Sequence, residues 1–139
     1  MADAVTSQII NDNVGAKNIL VKLTNISDGS GESAVAKVDV SALEASHDGT
    51  ACSRVAIQEI YYDIFGMRVD LLWNASTNVV CKVLGANGAL SSQGHIDVKE
   101  FGGILNNAGS GINGDLLLTT TGHTDGDHYT IILKLSKTY

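Results

Sequence analysis

The chain contains no proline in 139 residues, so every internal residue keeps a backbone N–H for pairing. Tight turns then fall to glycine, asparagine and aspartate. Cysteine is nearly as scarce: Cys52 and Cys81 stand outside any CxxC or Cys/His spacing, so no zinc-type ligand set is written into the sequence and a reducing cytoplasm is the expected folding compartment. Basic residues are few, with nine Lys and Arg against fifteen Asp and Glu and a net charge of −6. That balance repels a phosphate backbone and makes nucleic acid an unexpected partner. Aromatics are only 5% of the residues, so the core has to come from Val, Ile, Leu and Ala. No apolar run approaches the ~20 residues of a membrane-spanning helix, and no membrane partner is expected. "MADAVTSQII" lacks the basic and apolar regions of a signal peptide.

What the sequence has in quantity is period-two alternation, interrupted by Gly, Asn and Asp. In "NILVKLTN", Ile19, Val21 and Leu23 share a face; in "AVAKVDVS", Ala36, Val38 and Val40 read inward and Lys37 and Asp39 outward. The intervening "NISDGSGES" carries Asp28-Gly29 and Gly31, and predicts a hairpin of segments 18–25 and 34–41. "SRVAIQEIYYDIFGMRVDLLWN" reads as two strands folded about Phe65-Gly66. The first changes phase between Ile57 and Ile60, which predicts a bulge near Gln58-Glu59. "VVCKVLG", "HIDVKEF" and "DLLLTTTGHTDGDHYTIILKLSKTY" add further strands, the last two folded about a Gly/Asp turn. "VSALEAS" is long enough for one helical turn. The expected fold is therefore all-β, a single-domain antiparallel β-sandwich or barrel of jelly-roll type with eight or nine strands. Residues 1–16 form an N-terminal arm or edge strand, and residues 17–139 one β domain.

Four potential ligands crowd "HTDGDH": His123, Asp125, Asp127 and His128. Their order matches neither an EF-hand loop nor a zinc spacing, and Asp125-Gly126 between alternating segments is itself a turn signal, so a turn is expected and a metal site is the alternative. "FGGILNNAGSGINGD" lacks the Lys-Ser/Thr of a phosphate-binding loop and reads as a surface loop or subunit contact. No GxSxG context accompanies His47, His95, His123 or His128, and Asp97 with Glu100 reads as a solvated face, so no enzyme is expected and no cofactor. Cys81 reads as a small core residue. Tyr61, Tyr62, Phe65 and Trp73 are the one dense aromatic set; their apolar strands place them in the core, against the alternative of a sugar-stacking platform. Asn25-Ile26-Ser27 and Asn74-Ala75-Ser76 fit the glycosylation pattern by chance.

The blocks "VKLTNISDGSGESAVAKVDVSAL", "IYYDIFGMRVDLLWNAST" and "EFGGILNNAGSGINGDLLLTTTGHTDGDHYTIILKLSKTY" together resemble a group of small virion structural proteins of tailed bacteriophages, including phages of cyanobacteria. The resemblance runs from about Val21 to Tyr139. It implies a structural role in the particle and synthesis in the host cytoplasm, with capsid decoration favoured over a head-to-tail or tail position. A short, acidic, all-β chain suits a module that coats a shell in many copies. The partner implied is the major capsid protein or another virion protein, and self-association is expected, with a trimer favoured. Val5, Ile9 and Ile10 in the N-terminal segment and Phe101, Ile104 and Leu105 in the glycine-rich stretch are the interface candidates. A carbohydrate-binding host-attachment module is the rival reading.

Overall fold

Alternation becomes nine strands in a computed structural model that describes residues 4–10, 12–15, 17–85, 91–108, 114–122 and 124–139. The strands are β1 (Ala4–Ile10), β2 (Asn18–Ile26), β3 (Val35–Val38), β4 (Arg54–Phe65), β5 (Arg68–Trp73), β6 (Val79–Gly85), β7 (Ser91–Asp97), β8 (Leu116–Thr121) and β9 (His128–Thr138). Two 3-10 turns, Val40–Ala42 and Lys99–Phe101, are the helical elements among the described residues. The first lies in "VSALEAS", where Asp39 caps it by accepting from the Ser41 N–H.

A five-stranded sheet has the order β1-β2-β9-β4-β7 and a four-stranded sheet the order β3-β8-β5-β6. All pairings between these strands are antiparallel. The pairs β2·β9, β3·β8, β4·β7 and β5·β6 are nested, as in one long hairpin ribbon whose tip is the loop between β5 and β6. Wrapping that ribbon so that β4 meets β9 and β5 meets β8 closes two sheets, which is the double-sheet jelly roll. β1 adds an edge strand, paired over its whole length with β2.

This wrapping overturns three local expectations. β2 and β3 lie in different sheets, so the hairpin of segments 18–25 and 34–41 does not form. β4 and β5, and likewise β8 and β9, also belong to opposite sheets; the turns between them carry the chain across the sandwich. The crossing at Phe65-Gly66 needs its glycine: Gly66 has φ +81°, and a Cβ there would lie 2.3 Å from the Asp127 carboxylate. The expected bulge is present, as a register shift between Ile57 and Glu59 in the pairing of β4 with β9.

Between the sheets, Ile19, Val21, Leu23, Ile60, Ile64, Leu71, Leu118, Ile131 and Leu133 pack with Trp73 and Tyr129. Trp73 is fully buried, as its strand pattern predicts. Lys37 departs from the expected outward position. The β3·β8 register shifts between Ala36 and Val38, and this bulge lets Lys37 and Val38 both turn inward. Asn25 is 1% exposed, which leaves no room for a glycan at the Asn25-Ile26-Ser27 pattern.

A second buried lysine ties the two ends of the chain together. The Lys137 side chain is inaccessible; its Nζ donates to Asp12 Oδ1 at 2.6 Å and to the Glu44 carbonyl at 3.0 Å. Asp12 also accepts from the Glu44 N–H at 2.9 Å. Despite the desolvation that burial imposes, hydrogen bonding to Asp12 holds the Lys137 pKa above its ordinary value. Removing one partner of such a pair strands the other charge. Asp12→Ala is predicted to destabilise the fold by about 2–3 kcal/mol in urea unfolding, and a loss under about 0.5 kcal/mol would show that water replaces the carboxylate.

Candidate binding face

The outward positions of the five-stranded sheet are set by its register, and they line up in rows across the strands. One row runs Thr6, Thr24, Thr130, Asp63 and Gln93. The row on one side runs Gln8, Lys22, Ile132, Tyr61 and His95, and the row on the other ends in Ile26, His128, Phe65 and Ser91. Two adjoining open depressions occupy this face and share Thr130. The larger, of about 620 Å³, is lined by Thr6, Thr24, Ile26 and His128 among others. The smaller, of about 350 Å³, is lined by Tyr61, Asp63, Gln93 and Ile132 among others.

Aromatic rings stand out on this face, contrary to the expectation that the whole dense set is core. Tyr61 is 47% exposed and Phe65 38% exposed, Tyr62 is half-buried, and only Trp73 is fully enclosed. The bulge at Gln58 is the cause, because after it Ile60, Tyr62 and Ile64 take the inner positions and Tyr61 and Phe65 the outer ones. Tyr61 and His95 lie flat against one another, with ring centroids 4.1 Å apart and planes 8° apart. Phe65 and His128 stack at 5.8 Å. Gln93 Nε2 donates to Asp63 Oδ1 at 3.4 Å.

At the end of the face Glu59 gathers three side-chain nitrogens. Its carboxylate meets His95 Nε2 at 2.9 Å, Lys99 Nζ at 3.2 Å and Lys134 Nζ at 3.8 Å. Hydrogen bonding from His95 and then from Lys99 holds the Glu59 carboxyl below its ordinary range, and Glu59 in turn raises Lys99. With its oxygens so engaged, Glu59 acts as a fixed anchor for the rim. Both thiols lie apart from this face. Burial pushes Cys81 up to about 12 and raises Cys52 as well, so neither is poised as a nucleophile.

The "HTDGDH" segment turns the chain at Asp125-Gly126, with Gly126 at φ +91°. Asp127 is buried, and its Oδ2 accepts from the Thr124 N–H at 2.7 Å and from Thr124 Oγ1 at 3.0 Å. Asp125 is exposed, and His128 points to the outer face beside Phe65. His123 lies outside the described residues. Among the described residues no group of three His, Cys, Asp or Glu converges as a metal site.

Interface candidates divide by place. Val5, Ile9 and Ile10 lie on the edge strand β1 at 42%, 41% and 37% exposure. Phe101 and Leu105, at 80% and 63%, project from the segment after β7, whereas Ile104 packs against the core. Sequence reasoning missed Lys37, Glu32 and Asn25 as an inner group and missed the Tyr61–His95 stack, whose partners meet only through the long-range pairing of β4 with β7.

Comparison of the chain with protein-family models, with curated proteins and with solved structures finds no match.

For the turn we predict that Asp127→Ala lowers stability by about 1–2 kcal/mol, through two lost hydrogen bonds to Thr124. His128→Asn should change it by under ~0.5 kcal/mol. Thermal melts with and without chelator check both; a large fall on chelation alone would instead reveal a metal.

Proposed function

We propose that this chain is a non-enzymatic structural component of a phage virion, a decoration or cement protein that binds the assembled shell. The observation that carries this reading is the exposed pair Phe101 and Leu105 on a fixed base. Ile104 between them exchanges two backbone hydrogen bonds with Ile57, at 3.0 and 2.7 Å. The segment is thereby held against β4 while its two large apolar side chains face solvent. Large side chains presented on an ordered segment lose little further entropy on binding, which suits them as interface anchors.

β1 supplies a second contact of different kind. It is one edge of its sheet and carries Val5, Ile9 and Ile10, so it suits strand addition or self-association, for which a trimer is our favoured state. Contacts of ~1,600 Å² repeated over a shell add up by multivalency without any one being tight. The blocks that resemble phage virion proteins support the same placement.

A second reading, a glycan-binding module for host attachment, is favoured by one observation: exposed Tyr61 lies beside Asp63, Gln93 and Thr130. A sugar ring could stack on Tyr61 while those polar groups take its hydroxyls.

One experiment separates the readings. Phe101→Asp with Leu105→Asp is expected to keep the melting temperature and to weaken occupancy of undecorated capsids at least about tenfold. Unchanged occupancy would refute the anchor role, and binding of the native chain only to neck or tail assemblies would move it to a head-to-tail or tail position. Loss of host-glycan retention in Tyr61→Ala, with capsids not bound by the native chain, would establish the second reading.

A further inference from the structure

The inner group missed by sequence reasoning has the layout of a reaction centre. Lys37 on β3 and Glu32 in the preceding loop form an ion pair through Glu32 Oε2, with side chains only 2% and 5% exposed. The other oxygen, Oε1, accepts from Asn25 Nδ2 at 2.7 Å and from the Tyr129 hydroxyl at 2.6 Å. Glu32 is clamped by its backbone, since its N–H donates to Thr120 Oγ1 at 2.9 Å and its carbonyl accepts from the Thr120 N–H at 3.0 Å. One carboxylate therefore touches a primary amine with one oxygen and a carboxamide with the other, in the buried interior.

We propose that Lys37 and Asn25 become joined by an isopeptide bond, formed within the folded chain with Glu32 as proton carrier. Glu32 takes one proton from the Lys37 ammonium, which frees the Nζ lone pair. Nζ then bonds to Asn25 Cγ as the carbonyl π pair moves onto Oδ1, and Glu32 delivers its proton to Nδ2. Nζ sheds a second proton to Glu32, the Oδ1 pair re-forms the carbonyl as the Cγ–Nδ2 bond breaks, and the departing nitrogen takes that proton as well. Ammonium leaves, Glu32 is again a carboxylate, and the Nζ–Cγ amide remains. No oxidant, reductant or co-reactant is consumed.

Three features of the fold favour the step. Holding amine and amide on one carboxylate makes the attack intramolecular, a gain that well-oriented groups realise strongly. Tyr129 donates to the carboxylate oxygen that faces the amide, which fixes the orientation of the Glu32 carboxylate between amine and amide. Exclusion of water by the surrounding core protects the product from hydrolysis.

Its consequence is mechanical. β2 belongs to the five-stranded sheet and β3 to the four-stranded one, so the bond would staple sheet to sheet and close the chain between residues 25 and 37. A covalent closure restricts the unfolded chain and survives forces that separate strands. This inference concerns the fold of the isolated chain and stands whether or not the chain decorates a capsid.

The test is the mass of the full chain after folding and denaturation. The native sequence is expected to be lighter than its calculated mass by one ammonia, and proteolysis should yield a branched peptide joining Lys37 to Asn25 in tandem mass spectra. Glu32→Gln, close in size, should show the full calculated mass and melt roughly 10 °C lower. If that variant does not fold, the branched peptide of the native chain decides alone. A native chain that folds and keeps its full mass after prolonged incubation overturns the proposal. So does an ammonia loss that maps to a cyclised asparagine at the Asn-Gly steps of Asn87 or Asn113.

Discussion

One constraint governs this molecule: two sheets with a single apolar layer between them must close without leaving that layer exposed at the sides. Nested pairing of the ribbon answers it, because the strands that meet last in the chain, β2 with β9, are the ones that close the five-stranded sheet. Trp73 and Tyr129 then fill the interior from opposite sheets with the aliphatic majority around them. Only alternate positions answer to this demand. The outer positions of each strand are left to chemistry, and there the five-stranded sheet carries its threonines, aromatics and ionisable groups.

The strands were legible because period two survives in nearly every segment, and the β4 bulge was legible because the phase change from Ile57 to Ile60 is visible in the residues. Partnering was not. Asp28-Gly29, Phe65-Gly66 and Asp125-Gly126 turn the chain in the same way whether the next strand folds back in one sheet or crosses to the other, and all three lead to the opposite sheet. Hairpin chemistry is local, while the choice of sheet is decided by distant strands. The β3 bulge was invisible for a related reason: Ala36-Lys37-Val38 alternates without fault, and only its pairing with β8 reveals that Lys37 turns in.

Surface and rim are linked more closely than the sequence suggests. The 3-10 turn that carries Phe101 begins at Lys99, and Lys99 reaches across to Glu59 beside His95 and its Tyr61 stack. Because Glu59 is favoured in its ionised form, this link persists until pH falls below the ordinary carboxylate range, and it is lost as pH drops through the lowered value. The segment that carries Phe101 and the aromatic face thus meet at one carboxylate.

Two buried lysines show how neighbours decide the fate of the same side chain. Lys137 is surrounded by the Asp12 carboxylate, the Glu44 carbonyl and the Tyr139 ring, a set that accepts protons or faces a cation and so stabilises an ammonium. Lys37 meets a carboxylate that is shared with an amide and steadied by a phenol. The first arrangement is complete as an ion pair, tying the N-terminal segment to the end of β9. The second sets an amine and an amide on the two oxygens of one carboxylate, in an interior where an ion pair alone is a poor source of stability. With the proposed bond, charge burial in this fold has two outcomes, one electrostatic and one covalent, set by the residue beside the carboxylate.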